Sequence, residues 1–577
     1  GMHSQFAHYR ATLVPWLWFL TRNANCRIFQ EKTVPDIIKE VFRDQGFTDF
    51  EDRLSGNYRT WDYCVQYRES DFNFVSRLME QEGIYYFFSH EDGKHSLVLA
   101  DAYSSHSVAG NYDTIPYYPP DQGRIRDVEH IYDWSASLEV QTGAYALTDF
   151  DFERPRADIS TTSDMAQSHP MGDYEVFDYP GEYVQATDGD QYSRTRIEEQ
   201  QARFNRVRGT SNILGLETGA WFTLDGYQRT EQNQEDLFVS TTMELTNSEF
   251  ETRDEGPESK SQCTFEAIQS NQQYRSPRRT ALPLIRGPQT AVVVGKSGEE
   301  VWTDNFRRVK VQFHWDRLGQ SDENSSCWVR VSQSWAGKTW GTIHIPRIGQ
   351  EVIVEFLEGD PDRPIITGRV YNADEMPPYE LPANASQSGI KTRSLKGANN
   401  QNFNELRFED KKGEEQVYFH AEKDFQRVVE NNDSLKVGFE KTDLGDQTIE
   451  IHNNQKVIIG NQDSDDGSQS ITIYKNHTQT VCEGNATIEI QKGNRDTTVT
   501  EGDDTLTVEA GTRTTEAGTA IVLKVGDNSI TIDQKGIVIK AMKVAIEGES
   551  KVEMKSAMID AKADATMNLK GGTININ

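Results

Sequence analysis

No proline follows Pro382 and no tryptophan follows Trp340, in a chain of 577 residues that holds 18 prolines and 10 tryptophans. No aromatic residue of any kind follows Tyr474. The C-terminal third therefore lacks the residue that removes ladder donors from a sheet, and its end, residues 475–577, also lacks the bulky aromatics of an ordinary single-chain core. Cysteine is scarce too. The five, at positions 26, 64, 263, 327 and 482, are odd in number, far apart and free of any CxxC pair, which excludes a disulfide framework. Basic charge is short, with Lys and Arg totalling 60 against 91 Asp and Glu, for a net charge of −31. That balance disfavours general binding to a phosphate backbone or an anionic membrane. Long apolar runs are absent. The most apolar stretch, Ala11 to Leu20, contains Pro15 and is far below the ~20 residues that span a bilayer, so it reads as a buried strand. The N-terminus shows no charged region followed by an apolar core and a cleavage site.

What is present changes character near residue 385. Residues 1–280 read as α+β. Thr33-Val34-Pro35-Asp36 is a helix start, with Ile37, Ile38, Val41 and Phe42 at helical spacing and Gly46 as terminator. A second helix starts at Ser70 or Asp71, carries Phe74, Val75, Leu78 and Met79, and stops at Gly83. Tyr85 to Phe88, Trp221 to Leu224 and Leu237 to Leu245 read as strands, and polar residues 254–280 as a linker or surface excursion. There is no βαβ rhythm, hence no doubly wound sheet. Residues 281–372 read as purely β. Val309, Val311, Phe313 and Trp315 alternate with Lys310, Gln312, His314 and Asp316. Trp328 to Val331, Thr342 to Ile345, Glu351 to Phe356 and Pro364 to Val370 follow. So many short strands in so few residues predict a small Greek-key barrel of the oligonucleotide/oligosaccharide-binding (OB) type.

A connector, 373–389, leads to a repetitive region, 390–577. Gly484, Gly493, Gly502 and Gly511 are nine apart, and the repeats between them carry pairs of β formers, Ile488 and Ile490, Thr497 and Val499, Leu506 and Val508. A fixed short period of strand plus turn predicts a β-solenoid. About two apolar residues per repeat cannot offset backbone ordering at ~1–2 kcal/mol per residue. Three chains winding together, each giving one side of a triangular prism, can. An odd repeat length also needs an offset at each turn, which glycine supplies. The predicted fold is mainly β: an α+β hub, an OB-like barrel and an intertwined, trimeric triple-stranded β-helix.

Several segments carry a family resemblance. They are Arg307-Arg308-Val309-Lys310-Val311-Gln312-Phe313-His314-Trp315-Asp316, Ser326 to Val331, Ile345-Pro346-Arg347-Ile348-Gly349-Gln350-Glu351 and Gly359-Asp360-Pro361-Asp362-Arg363-Pro364. Phe403 to Asp410, Cys26 to Gln30 and Glu80 to Tyr86 add to them. In these the chain resembles the VgrG family of type VI secretion spikes, similar to a phage tail hub fused to its spike. The resemblance implies a homotrimer whose ring caps an Hcp-type tube and whose needle carries a PAAR-type tip protein or effectors, touching a target membrane only mechanically. It implies assembly in the bacterial cytoplasm and export by the contractile machine without a signal peptide. The family's first stretch is missing, so the ring is expected to be N-terminally incomplete. The chain ends at Thr573-Ile574-Asn575-Ile576-Asn577, with no effector domain expected, and that terminal strand is the expected tip-docking surface. A phage or pyocin-type tail spike of the same architecture is the alternative, and a β-solenoid carbohydrate-active enzyme a more distant one.

No catalytic, cofactor-binding or metal-binding residue is expected. Gly295-Lys296-Ser297 imitates a phosphate loop, but position 290 is Thr rather than the required Gly and no helix pattern follows. Asp463 to Gly467 resembles a calcium loop, but Ser468 and Tyr474 stand where Gly and Glu are needed. His90 and His95 flank a hairpin turn without a third ligand. Cys327, inside a strand, reads as an apolar residue rather than a nucleophile. The barrel's basic run, Arg307-Arg308 with Lys310, is set against strong overall acidity, so nucleic acid is not an expected partner.

Overall fold

The computed structural model describes residues 2–3, 6–7, 9–108, 110–120, 128–246, 260–439, 444–461 and 467–576. It divides into two compact units, Gly1–Asp433 and Ser434–Asn577. The fold is mainly β, with three α-helices among the described residues.

Helix α1, Val34–Asp44, begins where the sequence signals it. The Thr33 hydroxyl accepts the Asp36 N–H, Pro35 occupies the first turn, and Gly46 follows the helix at φ +82°. Helix α2, Asp71–Glu82, is capped by Ser70, which accepts the Asn73 N–H, and ends in left-handed Gly83. The two helices bury Ile37, Ile38, Val41, Phe42, Phe74, Val75 and Leu78 in one core. Trp16, Leu17 and Leu20 join it from a 3₁₀ helix, Trp16–Arg22. The expected strand over Ala11 to Leu20 is therefore absent. Pro15 breaks the extended run, and burial at 16, 17 and 20 follows a helical spacing instead of alternation.

The hub's main sheet runs in the order Ser107–Val108, Ala220–Asp225, Glu235–Thr246, Lys260–Gln269, Asn205–Ser211, Ile131–Leu138, with Thr114–Pro116 also on Ala220–Asp225. Phe222, Phe238, Phe265 and Trp134 fill its core. Lys260–Gln269 corrects the linker reading of 254–280. It is an interior strand, buried at Cys263, Phe265 and Ala267 on one face, while the other face is polar until Ile268, which is buried as well. Residues 254–259 lie outside the described residues. Beyond the strand, residues 271–280 form a strap pinned by side chains. Arg275 donates to the Gly83 and Asp101 carbonyls at 2.8 Å each and to Glu198 at 2.9 Å, and Glu80 accepts from the backbone of Arg279 and Thr280.

Helix α3, Ala186–Gln201, left no apolar stripe to read. Its buried face is largely polar, with Thr195, Arg196, Glu198 and Glu199, satisfied by Arg275, Arg278 and the Glu80 and Gln81 carbonyls.

The barrel is five-stranded, ordered Lys310–Phe313, Gln289–Val294, Glu351–Phe356, Pro364–Val370, Arg330–Val331. A bridge between Val309 and Val329 joins its two ends, closing it. Val309, Val311 and Phe313 point in and His314 out, as their alternation predicts. Thr342 to Ile345 is not a strand. Its backbone is held instead by Trp335 O, the Gln333 side chain and Arg369. Gly295 to Ser297 follow the end of the Gln289–Val294 strand as a turn.

In the second unit no described side chain is buried. Between Gln416–His420 and Ala520–Val525 there is no strand pairing among the described residues. Gly484, Gly493, Gly502 and Gly511 all adopt left-handed φ, at 100°, 114°, 109° and 114°. These are the offsets the nine-residue period demands. Where the shaft was expected to run on, residues 520–540 form an antiparallel meander of Ala520–Val525, Asn528–Asp533 and Gly536–Lys540.

Candidate functional site

The surfaces that could do work are the joint between hub and barrel, a cleft in the hub, and the apolar ladder of the second unit.

The joint is built on strand Ala24–Phe29, which pairs with Cys64–Ser70. Alternation along it sends Phe29 into the hub core and Ile28 against the barrel core. On the hub side, buried Arg27 donates to Gln66 at 2.7 Å, Asp44 at 3.1 Å and Asp71 at 3.2 Å. On the barrel side, the Gly359-Asp360-Pro361-Asp362 turn inserts toward the hub. Asp362 accepts the Val65 N–H at 2.6 Å, and Arg363 reaches Asp149 at 3.0 Å. Tyr67 meets Trp315 edge to face at 5.6 Å, and Gln289 donates to the Tyr67 hydroxyl. Burial raises the carboxyls of Asp362 and Asp360, the Asp360 charge adds to the shift of Asp362, and Arg77 opposes it in both. Sequence reading found this segment only as a family motif, because its partners are about two to three hundred residues away.

Arg308, half of the expected basic run, is used structurally. It pairs with Asp304 at 2.6 Å and Glu153 at 3.2 Å and lies over the Phe152 ring at 5.1 Å.

The hub cleft has a volume of about 490 Å³ and lies between α2, the strap and the main sheet, with Tyr85, Phe87, His106 and Tyr274 in its wall. Both His106 nitrogens are engaged, Nδ1 with the Gly219 carbonyl and Nε2 with the Tyr85 hydroxyl, each at 2.8 Å. Burial lowers its pKa. The neutral ring therefore donates from Nδ1, accepts at Nε2 and has no free nitrogen to act as a base. The buried thiols are equally unsuited to chemistry, since burial raises Cys64 and pushes Cys327 up to about 12. The His90 and His95 rings do approach, at 6.2 Å between centroids, but His95 Nε2 accepts the Trp16 N–H. Among the described residues no three His, Cys, Asp or Glu side chains gather into a metal-binding group. Asp463 to Asp466 lie outside the described residues.

One buried acid has no counterpart in the sequence reading. Asp236 is fully buried at the end of the main-sheet core, where the loss of solvent outweighs the help its carboxylate gets from the Gln234 side chain. Burial pushes its pKa up to about 7. A raised folded pKa means the folded state holds the proton more tightly, so stability falls as pH rises from about 4 to 7 and levels off above. Asp236→Asn is expected to flatten that slope and to be the more stable form at pH 8. The gain is up to ~4 kcal/mol before the cost of burying the amide is subtracted. Denaturant melts followed by tryptophan fluorescence at pH 5 and pH 8 check this, because every tryptophan lies in the first unit.

In the second unit the apolar ladder faces solvent. Ile488 is 70% exposed and Ile490 45%, Leu506 63% and Val508 45%. The expected terminal strand is not a strand in the single chain, but its residues are of the same kind, with Ile574 and Ile576 exposed and Asn577 outside the described residues.

Three family models match successive parts of the chain. They are the phage tail baseplate hub over residues 1–249, the type VI secretion system/phage-baseplate injector OB domain over 290–371, and the bacteriophage T4 gp5 C-terminal trimerisation domain over 388–532. The type VI secretion system spike protein VgrG1a of Pseudomonas aeruginosa is 57% identical over 436 residues, 76% of this chain and 68% of that protein. The chain belongs to the VgrG family. VgrG1b of the same organism is 58% identical over 440 residues, 76% of this chain and 59% of that protein. The chain thus matches about three fifths to two thirds of the length of these VgrG relatives. Among solved structures, the E. coli c3393 protein, described as a type VI component with structural similarity to T4 tail proteins gp27 and gp5, aligns at TM-score 0.42 and 20% identity. That alignment covers 62% of this chain and 76% of that one.

Proposed function

We propose that this VgrG chain is a structural, non-enzymatic spike that works as a homotrimer. The observation that carries the reading is the second unit. No described side chain in 434–576 is buried, yet aliphatic residues recur there at fixed spacing. Such a surface is unstable in water unless covered. Two further copies cover it by symmetry, each chain giving one side of a prism with no free sheet edge. A continuous ladder of this kind resists unfolding and suits a needle driven by a contracting machine. In this reading the hub caps an Hcp-type tube and the needle breaches a target membrane mechanically. The terminal segment, Thr573 to Asn577, seats a PAAR-type tip protein or effector. The protein assembles in the cytoplasm and leaves through the contractile machine. A phage or pyocin-type tail spike shares this architecture, but the similarity to P. aeruginosa spike proteins favours the secretion system. A carbohydrate-active solenoid would need aromatic platforms, and the shaft beyond Tyr474 has none.

The test is the mass in solution, by light scattering or native mass spectrometry. Three times 65.6 kDa is expected, and a monomer with an ordered second unit would overturn the proposal.

A further inference from the structure

The shaft repeats are nearly interchangeable. Sliding one chain by nine residues places Gly493 at the level of Gly484 and Leu506 and Val508 at the level of Thr497 and Val499. Glycine would still meet glycine, and β formers would still meet β formers. A repetitive interface of this kind specifies register weakly. Something outside the repeat must set it.

The 520–540 meander has the required properties. Its register puts Ile521, Ile532 and Ile537 in one cross-strand row and Leu523, Ile530 and Ile539 in the next. Directly paired residues, and residues two apart, share a face, so these six aliphatic side chains form one continuous apolar face. The opposite face is mixed, with Val522, Thr531 and Val538 in one row and Lys524, Ser529 and Lys540 in another. The apolar face is uncovered within its unit, with Leu523 62%, Ile537 67% and Ile539 50% exposed. Among the described residues the pattern occurs once in the unit, and its backbone bonds are made within one chain. Sliding a chain by one repeat would leave three such sheets out of level.

We infer that this meander is an inter-chain clamp. Its apolar face packs against the same face of two further copies of this chain and sets the register of the repetitive shaft. The inference rests on the trimer reading above. Other copies are the occupant for two reasons. The trimerisation family model runs to residue 532, through the first two strands of the meander. The exposed aliphatic ladder also continues on both sides, with Val508 before it and Val544 and Ile546 after it. Three shafts in register bring three identical sheets to one level about a common axis.

The test compares two paired variants of the full chain. Leu523→Glu with Ile530→Glu puts charge on the apolar face. Val522→Glu with Thr531→Glu puts the same charge on the other face. The first pair is expected to raise the monomer fraction about tenfold or more in native mass spectrometry, and the second to leave it unchanged. Register is read separately. Chains carrying Val499→Cys and chains carrying Val508→Cys, both with Cys482→Ser, are co-expressed and treated with a short thiol cross-linker. With the intact meander only 499–499 and 508–508 links are expected. With the milder Leu523→Ala and Ile530→Ala meander, 499–508 links are expected as well. Trimers of unchanged stability and register in both apolar-face variants would overturn the clamp while leaving the trimer standing. A monomeric parent protein would overturn the trimer reading and the clamp with it.

Discussion

Replacing Val499 and Val508 by aspartate is expected to leave the chain monomeric. Both lie on the face that carries the apolar ladder, and both are about half exposed in the single chain. In a threefold prism each substitution acts three times at one level. Burial of a valine contributes roughly 1.5–3 kcal/mol, so the loss at each level is of order 5–9 kcal/mol, before three carboxylates are brought face to face. Thr507→Asp, one position away and therefore on the opposite face, is expected to change little. Sedimentation of the three proteins checks the contrast. A trimer that survives both valine replacements would show that the ladder is not the shared core. The hub and barrel are expected to fold in all of them, because their clusters, around α1 and α2, in the main sheet, around α3 and in the barrel, are buried within one chain.

The second large effect is at Asp71, and it falls on the hub alone. This carboxylate is fully buried and accepts four donors. They are Arg27 at 3.2 Å, Gln66 at 2.7 Å, Gln45 at 2.9 Å and Asn23 at 2.7 Å. Together these ties join the first residue of α2 to the end of α1 and to the Ala24–Phe29 strand that carries the barrel joint. Asp71→Ala leaves the buried Arg27 guanidinium with only the half-exposed Asp44 as its ion partner and leaves two of the amides, Gln45 and Asn23, without an acceptor. Breaking such a group from one side costs about 3–5 kcal/mol, a large part of the ~5–15 kcal/mol that a domain has in all. The expected result is a hub that melts well below the parent by tryptophan fluorescence. Trimer formation through the shaft should persist at temperatures where the hub is still folded. Arg27→Met is expected to cost less than Asp71→Ala. It removes the charge while keeping the stem's packing, and three of Asp71's donors remain.

Much of the architecture was legible without coordinates, for identifiable reasons. The α1 and α2 boundaries rest on local chemistry, a hydroxyl cap at one end and a left-handed glycine at the other, so Thr33, Ser70 and Gly83 announce them. The barrel strand was legible because Val309, Val311 and Phe313 alternate strictly. The shaft was legible because its glycines recur at nine. Failures occurred where stability comes from partners distant in sequence. Helix α3 buries charged residues matched by arginines on the strap. The strand Lys260–Gln269 hides three inward residues in a polar segment. The stretch before Leu20 looked like a strand by composition but obeys a helical spacing after Pro15.

The loss of proline and tryptophan near residue 385 also takes a different meaning. The compact units part at Asp433, well beyond it. Between the two points lies the meander Gln387–Lys391, Glu405–Glu409 and Gln416–His420, which pairs its own backbone but leaves Phe408, Val417 and Phe419 exposed. Composition marks where large single-chain cores end. Contacts mark where intra-chain packing ends.

The sequence by itself determined the class of the protein: an acidic, mainly β chain with a hub, a barrel and a repeat too thin to bury a core alone. Those properties are sums or periods over the chain, and no spatial information is needed to read them. Only the tertiary structure decided how Asp362 and Arg363 lock the barrel to the hub, that Asp236 is buried without a cationic partner among the described residues, and that the shaft is interrupted by a meander with one aliphatic face. Each of these depends on which residues distant in sequence, or which parity of a strand pairing, are brought together, and a linear pattern does not specify that.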